Sequence, residues 1–243
     1  MSDLLLPARF LFRFAVSCVF REPLWTAEGA ALDESCRLPS LVELEGRAAW
    51  ADVRAAWNLS GLAFAVCVAG KEQPPWCRAS RPEDSDGLQV WIDTRDVHNV
   101  HRAGRFCHRF IFLPRGGGRR LDEPVAQLHP INRAREQCRP VPPGQLQVRA
   151  GKRGEVPLAG TARRVPRTKG TSPVLAGDYF LQAFVPAEAL TGFDPQEHPR
   201  LGFSYAVLDR QLGEQTLGVG SPMPYQEDPS LWPTLELRMK VEG

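Results

Sequence analysis

The chain has 243 residues, of which 43% are hydrophobic and 24% charged, the balance of a globular protein rather than a disordered or fibrous one. Thirty Lys/Arg against 28 Asp/Glu leave a formal charge of +2, too small to imply nucleic acid or an anionic membrane as a partner. No stretch approaches the roughly 20 apolar residues needed to span a bilayer.

The N-terminal "MSDLLLPARFLFRFAVSCVF" is apolar, but Pro7, Arg9 and Arg13 interrupt the run, so it reads as a first strand over Arg9–Val16 rather than a secretory signal. On that ground the expected compartment is the cytoplasm. Six cysteines without a CxxC pair then read as free, mostly buried thiols.

Further strands follow from alternation with period two. They are Asp52–Trp57, Leu62–Val68, Leu88–Asp93, Arg105–Leu113, Leu146–Arg149, Tyr179–Val185, Leu201–Leu208, Glu214–Val219 and Thr234–Met239. Turn chemistry separates them ("NLSG", "RGGGRR", "LAGD", "DRQLGEQ"), and 22 prolines with 21 glycines punctuate rather than extend elements. The one helical piece is "PAEALTGF", Pro186–Phe193. Many short strands and few helices predict an all-β chain, an antiparallel β-sandwich of jelly-roll or immunoglobulin-like type, built as a single domain over 1–243. A basic Pro/Gly-rich insertion occupies 139–177. From Arg139 to Lys169 it carries eight Lys/Arg and one acid, Glu155, but no aromatic for a nucleobase to stack on, so it reads as a solvated loop.

Asp86–Pro114 is the segment richest in chemistry. In strands, alternate side chains share a face. Leu88, Val90 and Ile92 therefore oppose Gln89, Trp91 and Asp93. Phe106, His108, Phe110 and Phe112 oppose Arg105, Cys107, Arg109 and Ile111. With the phenylalanines inward, His108 is a core histidine, and Gln89, Trp91 and Arg109 are expected to face water as a platform for a planar polar ligand. Cys107 and His108 point to opposite faces and cannot pair as nucleophile and base. No G-x-S-x-G, H-E-x-x-H or P-loop occurs, so no catalytic residues are assigned and the chain is not expected to be an enzyme. His98 and His101 supply two donors where zinc needs three or four. Asp84, Asp86, Asp93 and Asp96 are compatible with a structural calcium, or with turn-forming aspartates; beyond that no cofactor is expected.

Several motifs in one order carry a resemblance. "ADVRAAWNLSGLAFAVCVAG" (Ala51–Gly70), "PPW" (Pro74–Trp76), "SDGLQVWIDTRD" (Ser85–Asp96), "GDYFLQAFVPAEAL" (Gly177–Leu190), "RLGFSYAVLDR" (Arg200–Arg210) and "EDPSLWPTLEL" (Glu227–Leu237) are similar to carbohydrate-binding module family 9, within the DOMON-like group. The resemblance covers Pro39 to Val241. It implies a β-sandwich that holds a sugar ring between two tryptophans, with polar side chains on its hydroxyls. Carried over by position, the first clamp tryptophan falls on Trp76, the acidic sugar contact on Gln89 and the arginine on Arg109. The second clamp tryptophan falls on Gln226, with Tyr225 beside it, a departure that leaves the clamp incomplete unless Tyr225 or Trp91 supplies the second ring. Calcium is common in that family.

Three functions follow. The first is a non-catalytic carbohydrate-binding domain for a sugar or similar small polar ligand, its binding residues Trp76, Gln89, Trp91, Arg109, Tyr225 and Gln226. The second is a structural or protein-interaction sandwich without sugar binding, and the third a histidine-based metalloprotein.

Overall fold

The computed structural model describes residues 8–11, 13–153 and 177–239. Within them lie eleven strands: β1 (Ala15–Phe20), β2 (Ala51–Asn58), β3 (Gly61–Val68), β4 (Gly87–Asp93), β5 (Cys107–Gly117), β6 (Glu123–Leu128), β7 (Gln147–Lys152), β8 (Tyr179–Pro186), β9 (Arg200–Asp209), β10 (Gly213–Thr216) and β11 (Thr234–Arg238). Helical backbone is confined to short 3-10 turns. The helix expected over Pro186–Phe193 is reduced to one such turn, Ala187–Ala189.

The strands form one sheet in the order β6-β5-β4-β9-β11-β1-β2-β3-β8-β7, with β10 paired to β9. The all-β expectation holds, with one refinement: the sheet is mixed. β1 runs parallel to both β11 and β2, and the other pairings are antiparallel. The sheet curls back on itself until its edge strands β6 and β7 come near one another, almost a barrel. This brings the two halves face to face, and Phe64 of β3 stacks on Phe203 of β9 with ring centroids 5.8 Å apart.

The inward faces are the alternating apolar sets of the strands. Val53, Ala55 and Trp57 of β2, Leu62, Phe64 and Val66 of β3, Leu88, Val90 and Ile92 of β4, and Phe110 and Phe112 of β5 all join one buried core. Gly87 opens β4 at a φ of +154°, and a Cβ there would sit 2.3 Å from the Phe112 carbonyl oxygen. Glycine is what lets β5 pair this closely at the start of the strand.

One boundary differs from expectation, and one strand, β6, is additional to those expected. The first strand lies at Ala15–Phe20, because Ala8–Leu11 turns as a 3-10 segment and the Arg9 guanidinium is drawn to Glu45 and Thr216. β6 contains Pro124, which is compatible with its place at the edge of the sheet. Residues 154–176 of the basic insertion lie outside the described residues.

Candidate functional site

The two-face reading of β4 and β5 holds, but the outer face is not wet. Trp91 pairs directly across from Arg109, and Gln89 from Ile111. Over them fold the segments that follow β4, β6 and β10. Trp91, Cys107 and Ala206 thereby join Ala103, Ile131, Val219, Tyr225 and Trp232 in a second buried cluster. Trp91 is 0% exposed, Gln89 1%, Arg109 3% and Tyr225 1%, which corrects the expectation that they present an open platform. The physical reason is composition. Trp91, Ala206, Tyr225 and Trp232 are large or apolar groups that water solvates poorly, so the loops close over them. Among the six expected ligand contacts, Trp76 and Gln226 remain half-buried.

The covered face holds a polar corner centred on Arg109. Its Nη2 donates to Gln89 Oε1 at 2.7 Å and, over a long 3.4 Å, to Gln226 Oε1. Its guanidinium carbon lies 5.2 Å from the centre of the Trp91 ring. Nε is buried with no acceptor, as is the Trp91 indole nitrogen. Burial disfavours the charge on Arg109, and the carboxylate of Glu83 offsets this in part. Glu83 forms the rim: Gln89 Nε2 donates to its carbonyl at 3.2 Å, and its carboxylate meets His129 Nε2 at 2.9 Å. Burial first, and Arg109 second, make His129 harder to protonate than usual. His129 continues β6 beside Arg109, its backbone N–H donating to the Arg109 carbonyl at 2.7 Å. Tyr225 packs edge-on against Trp91, with centroids 5.2 Å apart, and its hydroxyl donates to Glu214. Trp91 and Tyr225 thus build the wall of the corner rather than a sugar-stacking surface.

Trp76 sits at the start of β4. Its N–H donates to Asp86 Oδ2 at 3.0 Å, and Asp86 N–H returns a bond to its carbonyl. The Arg210 guanidinium covers one face of its ring at 3.8 Å, with Arg78 at 5.3 Å. The ring therefore does not stand alone as an apolar platform. Beneath it the Lys71 ammonium, 1% exposed, is clamped between Asp86, at 3.1 Å, and Asp209.

The remaining aspartates are engaged locally. Asp84 pairs with Arg81, Asp93 accepts from the N–H groups of Arg95 and Val97, and Asp96 meets His98, Arg200 and Thr234. Among the described residues no three His, Cys, Asp or Glu side chains gather as a metal would require. His101 instead meets Asp228 and Ser230. His108 is a core residue as expected: it stacks on Phe110, its Nε2 accepts from Thr191 N–H at 2.9 Å, and burial lowers its pKa to about 4.

A cavity of about 440 Å³ lies at the other end of this face, lined among others by Arg9, Phe14, His98, His101, Met223 and Trp232. Its size suits a small ligand. Its Arg9, His98 and His101 are already bonded within the protein, however, to Glu45, Asp96 and Asp228. The Arg109 corner differs in holding buried donors without protein acceptors, whereas the remaining cation of the cavity, Arg13, is exposed.

Sequence reasoning missed Glu83, His129, Arg210 and Lys71 as neighbours of the expected residues. Register gives a signal for His129 once β6 is known, since it continues opposite Arg109. Nothing in the spacing of Lys71 and Asp209 announces their contact.

No family model and no curated protein matches the sequence. Solved structures do match in shape. The family 9 carbohydrate-binding module of Caldicellulosiruptor kristjanssonii in complex with glucose superimposes with a TM-score of 0.54 at 11% identity, over 95% of this chain and 98% of that one. Its complex with cellotriose gives 0.52 at 10%, over 94% and 96%. A Bacteroides uniformis protein proposed to bind carbohydrate gives 0.50 at 12%, over 93% and 100%. Identity this low speaks for architecture alone: the chain has the fold of the family 9 carbohydrate-binding modules.

Proposed function

We propose that this chain is a non-catalytic carbohydrate-binding domain whose ligand docks at the Arg109 corner. The observation that carries the reading is the pair of buried donors without acceptors, Arg109 Nε and Trp91 Nε1, lying beneath the polar rim of Glu83, His129 and Gln226. A buried donor left unbonded costs about 1–3 kcal/mol, more when charged. A ligand rich in oxygen recovers that cost. Gln226 is the natural gate, because its 3.4 Å contact with Arg109 is weak enough for a sugar oxygen to displace. That solved domains of the same fold hold glucose and cellotriose supports the choice of ligand class.

The test is a glycan array and calorimetric titration of the chain, with calcium present and absent. Binding that Gln226→Ala or Arg109→Met changes supports the reading. A blank in both conditions overturns it and favours the second reading, a structural or protein-interaction sandwich. That alternative predicts burial of both Trp76 and Trp91; Trp91 is fully buried and Trp76 half-buried.

A further inference from the structure

We infer that the ligand is an acidic sugar, its carboxylate docking on Arg109. This rests on the carbohydrate reading above and narrows it. Among the described residues four cations are buried: Arg9, Arg54, Lys71 and Arg109. Three have carboxylates in contact. Arg9 holds Glu45, Arg54 holds Asp52 and Glu34, and Lys71 holds Asp86 and Asp209. Arg109 is the exception: its partners are two neutral amide oxygens and the face of Trp91. The fold thus pairs its buried cations with acids everywhere except at the corner where donors stand unbonded.

A neutral sugar can fill hydrogen bonds there but leaves the charge uncompensated. A carboxylate does both, because its two oxygens match the planar fork of a guanidinium. The low dielectric of the corner strengthens that pairing. The one opposing acid is Glu83. It is bonded to His129, and its side chain is 51% exposed, so solvent screens it.

The experiment titrates the full chain by calorimetry with sugars that differ only at C6: glucuronate against glucose, and galacturonate against galactose, at low and high salt. The acid of each pair is expected to bind at least about tenfold tighter, with the gap narrowing as salt screens it. Arg109→Gln is expected to remove the gap. Should that variant fail to fold, the wild-type comparison and its salt dependence still decide. Neutral sugars binding as well as or better than their acids overturn this inference and leave the carbohydrate reading standing. No binding by either class overturns both.

Discussion

Replacing Arg109 with methionine separates a binding arginine from a structural one. Methionine is apolar and close in length, so it fills much of the same space. What is lost is one good charged hydrogen bond, to Gln89 at 2.7 Å, worth about 1.5–3 kcal/mol, and a cation–π contact with Trp91 worth about 1 kcal/mol. What is recovered is the desolvation penalty of a guanidinium 3% exposed, several kcal/mol on the order of what a lone buried ion costs. The terms come close to cancelling, and Arg109→Met is expected to match the wild type or exceed it by up to about 2 kcal/mol. Sugar binding should disappear in the same variant, a trade of stability against function. Urea unfolding followed by tryptophan fluorescence measures the first quantity and calorimetry the second. A loss of about 3 kcal/mol or more, or a Tm lower by roughly 6–12 °C, would show that Arg109 is held by interactions the fold depends on, and would refute the reasoning.

Lys71→Met is the converse case: it strips the ammonium from two buried carboxylates and is expected to cost about 3–5 kcal/mol, read as a fall in Tm, because both acids are left unneutralised. An unchanged Tm would sink that account. His108, with its pKa near 4 against about 6.5 when unfolded, stays neutral in the fold while the unfolded chain takes up a proton. Its contribution is therefore complete above about pH 6.5 and is lost as pH falls towards 4, by up to about 3 kcal/mol; His108→Leu should flatten that limb of the urea-midpoint profile. Trp76→Ala, at a half-buried position that is no part of the Arg109 corner, should cost only about 1 kcal/mol of stability and leave sugar binding in place, checked by paired titration and melting. In the folded chain the half-buried Cys67 and Cys138 should react with a thiol reagent before the four buried cysteines, two of which, Cys77 and Cys107, burial pushes up to about 12; fast reaction of the whole set would contradict the packing.

Strand identity was legible wherever alternation was strong. Leu88, Val90 and Ile92, or Phe64 and Val66, leave a period-two record because one face of each strand must be apolar. β6 left no such record: "EPVAQL" carries proline at its second position and lies at the edge, where its backbone pairs on one side only. Neither the parallel neighbours of β1 nor the Lys71–Asp209 contact can be read from local pattern, since both join residues distant in the chain. The candidate site was half legible. The sequence placed Gln89, Trp91 and Arg109 together, and the register bears this out. What it could not say is whether water or protein lay above them, because that depends on loops whose paths alternation does not encode. A hint was present in hindsight: Trp91, Ile111 and Ala206 make that face too apolar to be left in water, and Tyr225 and Trp232 wait in a later loop to cover it.

The cover changes what Arg109 can do. An exposed guanidinium would lose rotamer freedom on each binding event and compete with water for every bond. Here Gln89 and the Trp91 ring already hold it in one orientation, and Tyr225, tied to Glu214, fixes the wall behind. The entropy of ordering is met on folding, so on the proposed docking a ligand oxygen would meet donors fixed in place in a medium where each bond counts for more than in water. If the proposed docking holds, the same burial sets the demand on the ligand. It must bring acceptors, and most favourably charge, since a partner offering neither would seal the corner with its donors still unbonded.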